Sequence, residues 1–190
     1  MTLSSNHHSS TMFPDLLQKV AEAREQTVAC AEGLSHEQAN FKPDPDTWSI
    51  SETIEHLVYA EDGGVGGMWD ALIEYNLGHP SWEGELIHQG SRIEEVVDKT
   101  WQTKEKVPES AAPQWGGAIG YWIAALKARQ QVLEAFGEAV GETDLESIIH
   151  PHPISGPLDI RQRLEFLRFH MERHQKQIEE LKKHPAFPSK

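Results

Sequence analysis

Two histidines one helical turn apart, His170 and His174, have the residue type and the spacing for metal chemistry. Side chains at positions i and i+4 leave one side of a helix about 5–6 Å apart at Cβ, so both imidazoles can reach a single ion. They share that side with the apolar positions that such a helix would bury: Ile160, Leu164, Leu167, Ile178 and Leu181. A divalent metal would satisfy two buried rings, and an unpaired buried polar group otherwise costs about 1–3 kcal/mol. From the pair alone a structural role is the commoner outcome, so both interpretations stay open.

A third histidine, His56, lies on a predicted helix whose start is well marked. Ser49 and Glu52 have the spacing of a capping box, in which Ser49 is the N-cap and Glu52 bonds back to its amide. The flank of this helix that carries His56 also carries three glycines: Gly63, Gly64 and Gly67. Because each glycine costs about 1 kcal/mol relative to alanine inside a helix, they favour either close helix packing or a concavity beside His56. A substrate or a second chain could approach in such a concavity.

Two parts of the chain resemble signatures of the DinB/YfiT-like superfamily. Residues 41–61, FKPDPDTWSISETIEHLVYAE, resemble the family's K-P-x-x-x-x-W-S-I-x-E-x-x-x-H-L pattern. Residues 150–158, HPHPISGPL, and residues 170–178, HMERHQKQI, resemble its H-P-x-x-G-x-L loop and its H-x-x-R-H-x-x-Q-I helix. The signatures occur in the family's order, and the resemblance covers roughly residues 15–183.

The resemblance implies a metal site and a range of activities. In that family the histidine of the first signature and both histidines of the second bind one divalent metal, which here gives His56, His170 and His174 as ligands. Zinc and nickel are the metals usually described, and manganese is a further candidate. Members with an assigned activity include S-transferases that use bacillithiol or mycothiol, a thiol-dependent isomerase and proteins described as metal-dependent hydrolases. Together with the glycine flank, the resemblance also implies a homodimer.

A site of three histidines has a chemistry that can be argued from its ligands. Three neutral imidazoles leave a coordination position open, as catalytic zinc sites do, and the ion lowers the pKa of a bound water or thiol. Metal-bound histidines usually donate their other N–H to a carbonyl, a carboxylate or water. Gln177, one turn beyond His174, and Glu61, on the inner side of the helix that carries His56, are the candidates for supporting the ligands. An ordinary buried or rim polar group is the alternative for each, and for Glu61 it is the favoured one.

Further polar residues are weaker candidates for the reaction. His88, His150 and His152 could act as acid or base, although loop histidines are more often simply exposed. Arg129 could hold an anionic substrate, although a solvated arginine is the commoner case.

These observations favour a metal-dependent enzyme that acts on a small molecule. The first expectation is an S-transferase, in which a low-molecular-weight thiol serves as cosubstrate and attacks a small electrophile. A metal-dependent hydrolase is the alternative enzyme. A non-catalytic, stress-associated bundle that keeps the metal for stability is the alternative from another class.

Composition excludes several other functions. The 190 residues contain 17 Lys and Arg against 30 Asp and Glu, a net charge of −13, which argues against a nucleic-acid partner and for neutral or cationic substrates. No apolar run is long enough to span a membrane, and the N-terminus lacks the apolar core of a signal peptide. Cys30 is the only cysteine, so there is no disulfide framework and we expect a cytoplasmic location.

The elements that must position the histidines are helices. Apolar residues at helical spacing predict four long helices and a short one: Phe13–Gly33, Ile50–Leu77, Ala118–Val140, Asp159–Lys183 and, near Arg92–Lys104, the short helix. No β-alternation persists. The sequence therefore predicts an all-α fold, a four-helix bundle with long connections and a site between facing helices. Residues 1–11 are predicted to be a disordered tail, and residues 12–190 a single domain.

Overall fold

Four long α-helices and two short ones make up the fold. The computed structural model describes residues 12–79, 82–102 and 106–189, and the predicted tail lies outside them. The helices are α1 (Phe13–Ala31), α2 (His36–Ala39), α3 (Ile50–Asn76), α4 (Ile93–Thr100), α5 (Ile119–Val140) and α6 (Ile160–Lys182), with 3₁₀ turns at Glu109–Ala111 and Leu145–Ser147. Within the described ranges there is no β-strand, only isolated bridges in the loop before α6. The all-α prediction is confirmed.

The four long helices enclose one apolar core. Helix α1 packs against α5 and α6, and α3 packs against the same two helices, which closes a four-helix bundle. The core side chains include Ile50, Ile54, Met68, Leu126, Leu133, Phe136, Leu164 and Met171, all essentially without solvent exposure. A smaller apolar cluster joins α4 to α6 through Ile93, Val96, Val97, Leu158 and Phe166. None of the described helices combines the length and apolar character needed to cross a bilayer.

Capping boxes set the start of the two helices that carry the candidate ligands. At α3, the Glu52 amide donates to Ser49 Oγ over 3.2 Å and the Ser49 amide donates to Glu52 Oε2 over 2.7 Å, as predicted. At α6, Asp159 and Gln162 form the same reciprocal pair, which the sequence analysis did not identify. Both boxes satisfy amides that have no partner inside the helix and so fix the register of the histidines that follow.

The helix boundaries differ from the predictions by one or two residues for the long helices. The short helix predicted near Arg92–Lys104 is shorter, because Trp101 leaves it in an extended conformation with φ −99° and ψ 145°. Residues 103–105, the end of that prediction, lie outside the described residues. The short helix α2 was not predicted, and its Ser35 and Gln38 form a third capping box.

Candidate metal centre

The three predicted ligands, one from α3 and two from α6, come together in the structure. His170 Nε2 lies 3.2 Å from His56 Nε2 and 3.0 Å from His174 Nε2. All three side chains are buried, and their ligand nitrogens lie within 4.8 Å of one another. The rings meet edge to face, with centroids 4.6 to 5.0 Å apart. The structure therefore converges three imidazole nitrogens on one point between facing helices.

A backbone carbonyl sets the orientation of His56. Its Nδ1 donates to the carbonyl oxygen of Ala111 over 2.7 Å, which leaves Nε2 with a free lone pair toward the other rings. The carboxylate of Glu55, next to His56 on α3, is fully buried and fixes the loop that follows Ala111. It accepts the amides of Gln114, Trp115 and Gly116 over 2.7 to 2.8 Å. The carbonyl that orients His56 is thus part of a fixed loop.

This donor set fits a divalent metal. Ligand nitrogens at about 2.0–2.1 Å from a tetrahedral ion stand about 3.3 Å apart, close to the two short separations found here. A neutral imidazole has one N–H, and His56 uses its own for Ala111, so one hydrogen at His170 Nε2 can serve only one of its two neighbours. An ion would accept all three lone pairs at once.

Burial keeps these histidines neutral. Desolvation lowers the pKa of His174 to about 3, and it also lowers the pKa of His170 well below its usual value. At His56 burial lowers the pKa as well, and the hydrogen bond to Ala111 partly opposes it. Only neutral imidazole binds a metal, so the environment favours the binding form at physiological pH.

Aromatic side chains form the walls around the three rings. Trp48 contacts His56 with ring centroids 4.9 Å apart and lies nearly parallel to His174 at 6.5 Å. On the other side Phe166 stacks on His170 at 5.4 Å. Trp48 belongs to the first family signature, yet its contact with two candidate ligands was not foreseen. These walls lower the local dielectric and so strengthen electrostatic interactions at the centre.

A cleft of about 1140 Å³ gives access to the three histidines. Its basic lining residues are Arg163, Arg173, Lys176 and six histidines, at positions 56, 150, 152, 170, 174 and 184. Among the described residues that line it, only the exposed Asp46 and Glu180 carry carboxylates. The net charge led us to expect neutral or cationic substrates, but the charged residues of the lining are three cations and two carboxylates, so the cleft does not share the acidic character of the whole chain.

The two residues proposed to support the ligands behave differently. Gln177 lines the cleft and interacts with His174, acting to raise the pKa of that imidazole, although His174 Nδ1 makes no well-formed hydrogen bond. Glu61 is placed elsewhere: its buried carboxylate forms an ion pair with Arg24 of α1. Glu61 therefore has the favoured alternative role of an ordinary buried polar group, and the partner of His56 Nδ1 is the Ala111 carbonyl.

Of the weaker candidates for the reaction, two line the cleft and two lie outside it. Arg129 is held by Asp62, with its Nε and Nη2 donating over 3.0 and 2.6 Å, and it does not line the cleft. His88 is buried and its Nε2 bonds the Ser155 carbonyl at 2.8 Å, so it is not an exposed loop histidine. His150 and His152 both line the cleft. Arg163, which the sequence analysis passed over, is buried beside them.

The glycines of α3 make room for cleft side chains. A Cβ on Gly67 would lie 2.1 Å from the His150 ring, and one on Gly64 would lie 3.2 Å from Arg163 Nη2. Gly63 lines the cleft and has no atom within 4 Å of the place a Cβ would take. The structure supports both explanations for the glycine flank: Gly64 allows side chains of α6 to approach closely, and Gly63 and Gly64 border the cleft beside His56.

Comparison with known proteins agrees with this geometry. The sequence pattern of the DinB superfamily matches residues 19–178. The "Uncharacterized protein YuaE" of Bacillus subtilis (strain 168) is 26% identical over 168 residues, which cover 85% of this chain and 93% of that protein. The match includes α3 and the ligand-bearing part of α6, and the chain belongs to the DinB superfamily.

Proposed function

We propose that this chain is a metal-dependent S-transferase acting on small electrophiles in the cytoplasm. His56, His170 and His174 would hold one divalent ion, with zinc and nickel as the first candidates and manganese as a third. The observation that carries the proposal is the convergence of three Nε2 atoms at a cleft that leaves one side open. Structural zinc sites have four protein ligands, whereas catalytic ones keep a position for substrate.

The ion would supply a Lewis acid that favours the thiolate form of a bound low-molecular-weight thiol at neutral pH. The thiol proton leaves to solvent through the open side of the cleft. The sulfur would then form a bond to the electrophilic carbon while the bond between that carbon and its leaving group breaks, and the leaving group would depart to solvent with the bonding electrons. Trp48 and Phe166 wall the reacting atoms, and the bond from His56 to Ala111 keeps its ring in place.

A hydrolase remains the second enzyme class, and its base would have to come from the cleft histidines His150 or His152. Hydrolysis commonly uses a carboxylate or histidine base within hydrogen-bond reach of the attacking water. The two carboxylates among the described lining residues, Asp46 and Glu180, are both exposed. A thiol needs less help from a base, because its own pKa is already near 8.5.

Conjugation of monochlorobimane with a panel of small thiols tests the proposal. Metal-loaded protein is expected to accelerate the reaction, with rates that rise with pH as the thiol ionises. Chelation or the His56→Ala change should return the rate to that without protein. The control is His79→Ala, an exposed histidine paired with Glu74 outside the cleft.

Other results would assign another role. Metal-dependent cleavage of esters or amides without thiol would favour the hydrolase. No turnover with any thiol, combined with a lower melting temperature on metal removal, would favour the non-catalytic bundle.

A homodimer remains part of the proposal. Gly64 and Gly67, which prompted it, are accounted for by contacts inside the chain, so the argument now depends on Gly63 and the family resemblance. Light scattering at micromolar concentration is expected to give twice the chain mass, and a monomer would contradict the dimer without affecting the metal centre.

A further inference from the structure

Arg163 carries a buried positive charge that has no counter-ion among the described residues. Its side chain lies on α6 and the residue is 5% exposed. Nη1 has no hydrogen-bond partner, and no carboxylate pairs with the guanidinium within the described part of the chain. Desolvation alone lowers its pKa to about 10, so it stays charged at neutral pH. An uncompensated buried charge destabilises the folded state, so its presence at this position suggests a functional role.

The side chain of Arg163 faces the cleft. It is one of the lining residues, and its guanidinium lies 5.8 Å from the Phe166 ring centroid. Gly64 on α3 has no side chain at the point where Nη2 approaches, and a Cβ there would lie only 3.2 Å away. Two helices are therefore shaped so that this charge is buried and still borders the space available to a ligand.

The two histidines nearest to Arg163 add no charge of their own. Burial, and after it the charge of Arg163, lowers the pKa of His150 to about 4 and that of His152 to about 3. Both are neutral at physiological pH and can still donate or accept hydrogen bonds. Arg163 is therefore the buried positive charge at this end of the cleft, since Arg173 is engaged by the Trp101 ring that stacks on His152. One charge matches a carboxylate better than a phosphate with its charge of about −1.5 to −2.

The distance from Arg163 to the metal centre is set by the helices. Arg163 precedes His170 by seven residues, which is two turns or roughly 10 Å along α6. On α3 the residue beside Arg163 is Gly64, and the residue beside His170 is His56. The two helices therefore run antiparallel here. The two contact points are eight residues apart on α3 and seven residues apart on α6, so the distance between them is similar on both helices. Phe166 lies between, contacting Arg163 on one side and His170 on the other.

We propose that Arg163 binds the carboxylate of a substrate or thiol cosubstrate whose reacting group lies about two helical turns away at the three histidines. The inference builds on the proposed function, because it needs a ligand that also reaches that centre. Arg163 would act as a specificity residue: it selects anionic molecules of matching length and orients them across Phe166. The hydrocarbon between the two ends would cover that ring.

Thiol binding to cobalt-loaded protein tests both the charge and the length. Thiolate bound to cobalt(II) gives a near-ultraviolet absorption band that can be titrated. Mercaptooctanoate, whose extended chain spans roughly 10 Å, is expected to bind about tenfold to hundredfold more tightly than mercaptooctanol, the range for a hydrogen bond to a charged group. Mercaptopropionate is too short to reach both ends and should show no such advantage over its own alcohol.

Variants assign the preference to one residue. Arg163→Gln should remove the advantage of the acid over the alcohol while leaving the affinity for the alcohol unchanged, and Arg163→Lys should retain part of it. Arg173→Gln is the control, since Arg173 also lines the cleft but stacks on Trp101 at 5.4 Å. An advantage that survives in Arg163→Gln, or that disappears in Arg173→Gln instead, would overturn the proposal.

Octanoate separates this inference from the proposed function. If neither thiol gives the absorption band, thiol chemistry at the three histidines fails. Octanoate binding to His174→Ala protein, followed by calorimetry, then decides about Arg163 alone. Binding that is lost on adding Arg163→Gln supports the carboxylate site, and no binding or equal binding contradicts it.

Discussion

Arg24 and Arg163 are both buried, at 3% and 5% exposure, but their surroundings differ. Arg24 on α1 forms an ion pair with Glu61 of α3 and a hydrogen bond with Gln130 of α5, inside the bundle. Arg163 on α6 has no acidic partner among the described residues and borders the cleft. The charge of Arg24 is compensated by a residue of the bundle, whereas the charge of Arg163 is available to the carboxylate of a ligand.

The comparison shows how to separate structural from functional polar groups when both are buried. Desolvation raises the pKa of Glu61 to about 7 even though Arg24 acts to lower it. Burying this ion pair therefore costs desolvation free energy that the attraction between the two charges does not fully offset. Arg24 Nε and Glu61 Oε2 also lack hydrogen-bond partners among the described residues, but they lie inside the bundle, whereas the three histidines and Arg163 border an accessible cavity. Unmatched groups of this kind concentrate where ligands bind.

The same substitution at the two arginines should have very different effects on stability. Arg24→Met leaves Glu61 buried without its partner and is expected to lower the free energy of unfolding by about 3–5 kcal/mol. Arg163→Met leaves no acid unpaired, so stability should stay within about 1 kcal/mol or rise. Denaturant unfolding followed by circular dichroism measures both. Equal losses would contradict the distinction between the two sites.

His174 in the metal centre and Glu61 in the bundle should change the free energy of unfolding in opposite directions as the pH falls. His174 has a folded pKa near 3, below its usual 6.5, so the unfolded chain takes up a proton first and stability is lost as pH falls below 6.5. By pH 5 this one group costs about 2 kcal/mol. Glu61 has a raised pKa of about 7, so its contribution is fully present below 4.5 and is lost as pH rises through 7.

Unfolding curves of metal-free protein between pH 4.5 and 7 measure these slopes. His174→Ala should reduce the loss of stability toward acid, and Glu61→Gln should increase it because the opposing contribution is gone. If His174→Ala leaves the slope unchanged, the histidine is not held neutral in the way the structure indicates.

Two glycines on α3 should show the smallest contrast. Gly67→Ala forces the His150 ring to move, since a Cβ would lie 2.1 Å from it, and should cost about 1–3 kcal/mol. Gly66→Ala meets nothing within 4 Å on an exposed part of the same helix and should gain up to about 1 kcal/mol. Melting temperatures of the two variants test this. A gain at both positions would mean that the cleft side of α3 is not shaped by His150.

The sequence predicted the helices and which three histidines come together, because local spacing and the family signatures carry that information. The start of α3 at Ser49 follows from a capping box of four residues, and the pairing of His170 with His174 follows from one helical turn. Nothing local reveals which α3 residue faces α1 and which faces the cleft, so the sequence left two roles open for Glu61, and its ion pair with Arg24 corresponds to the favoured one, an ordinary buried polar group. Arg163 was missed for the same reason, since its lack of a partner is visible only when the facing helix is in place. The single-domain organisation and the homodimer stay predictions.

The metal content of the purified chain tests the central claim most directly. Elemental analysis should find about one divalent ion per chain in the wild type and in the exposed control His79→Ala. The changes His56→Ala, His170→Ala and His174→Ala should each remove it, because two nitrogens do not replace a three-histidine site. Full occupancy in His174→Ala would contradict the account, since the ion would then be held somewhere other than where the three Nε2 atoms converge.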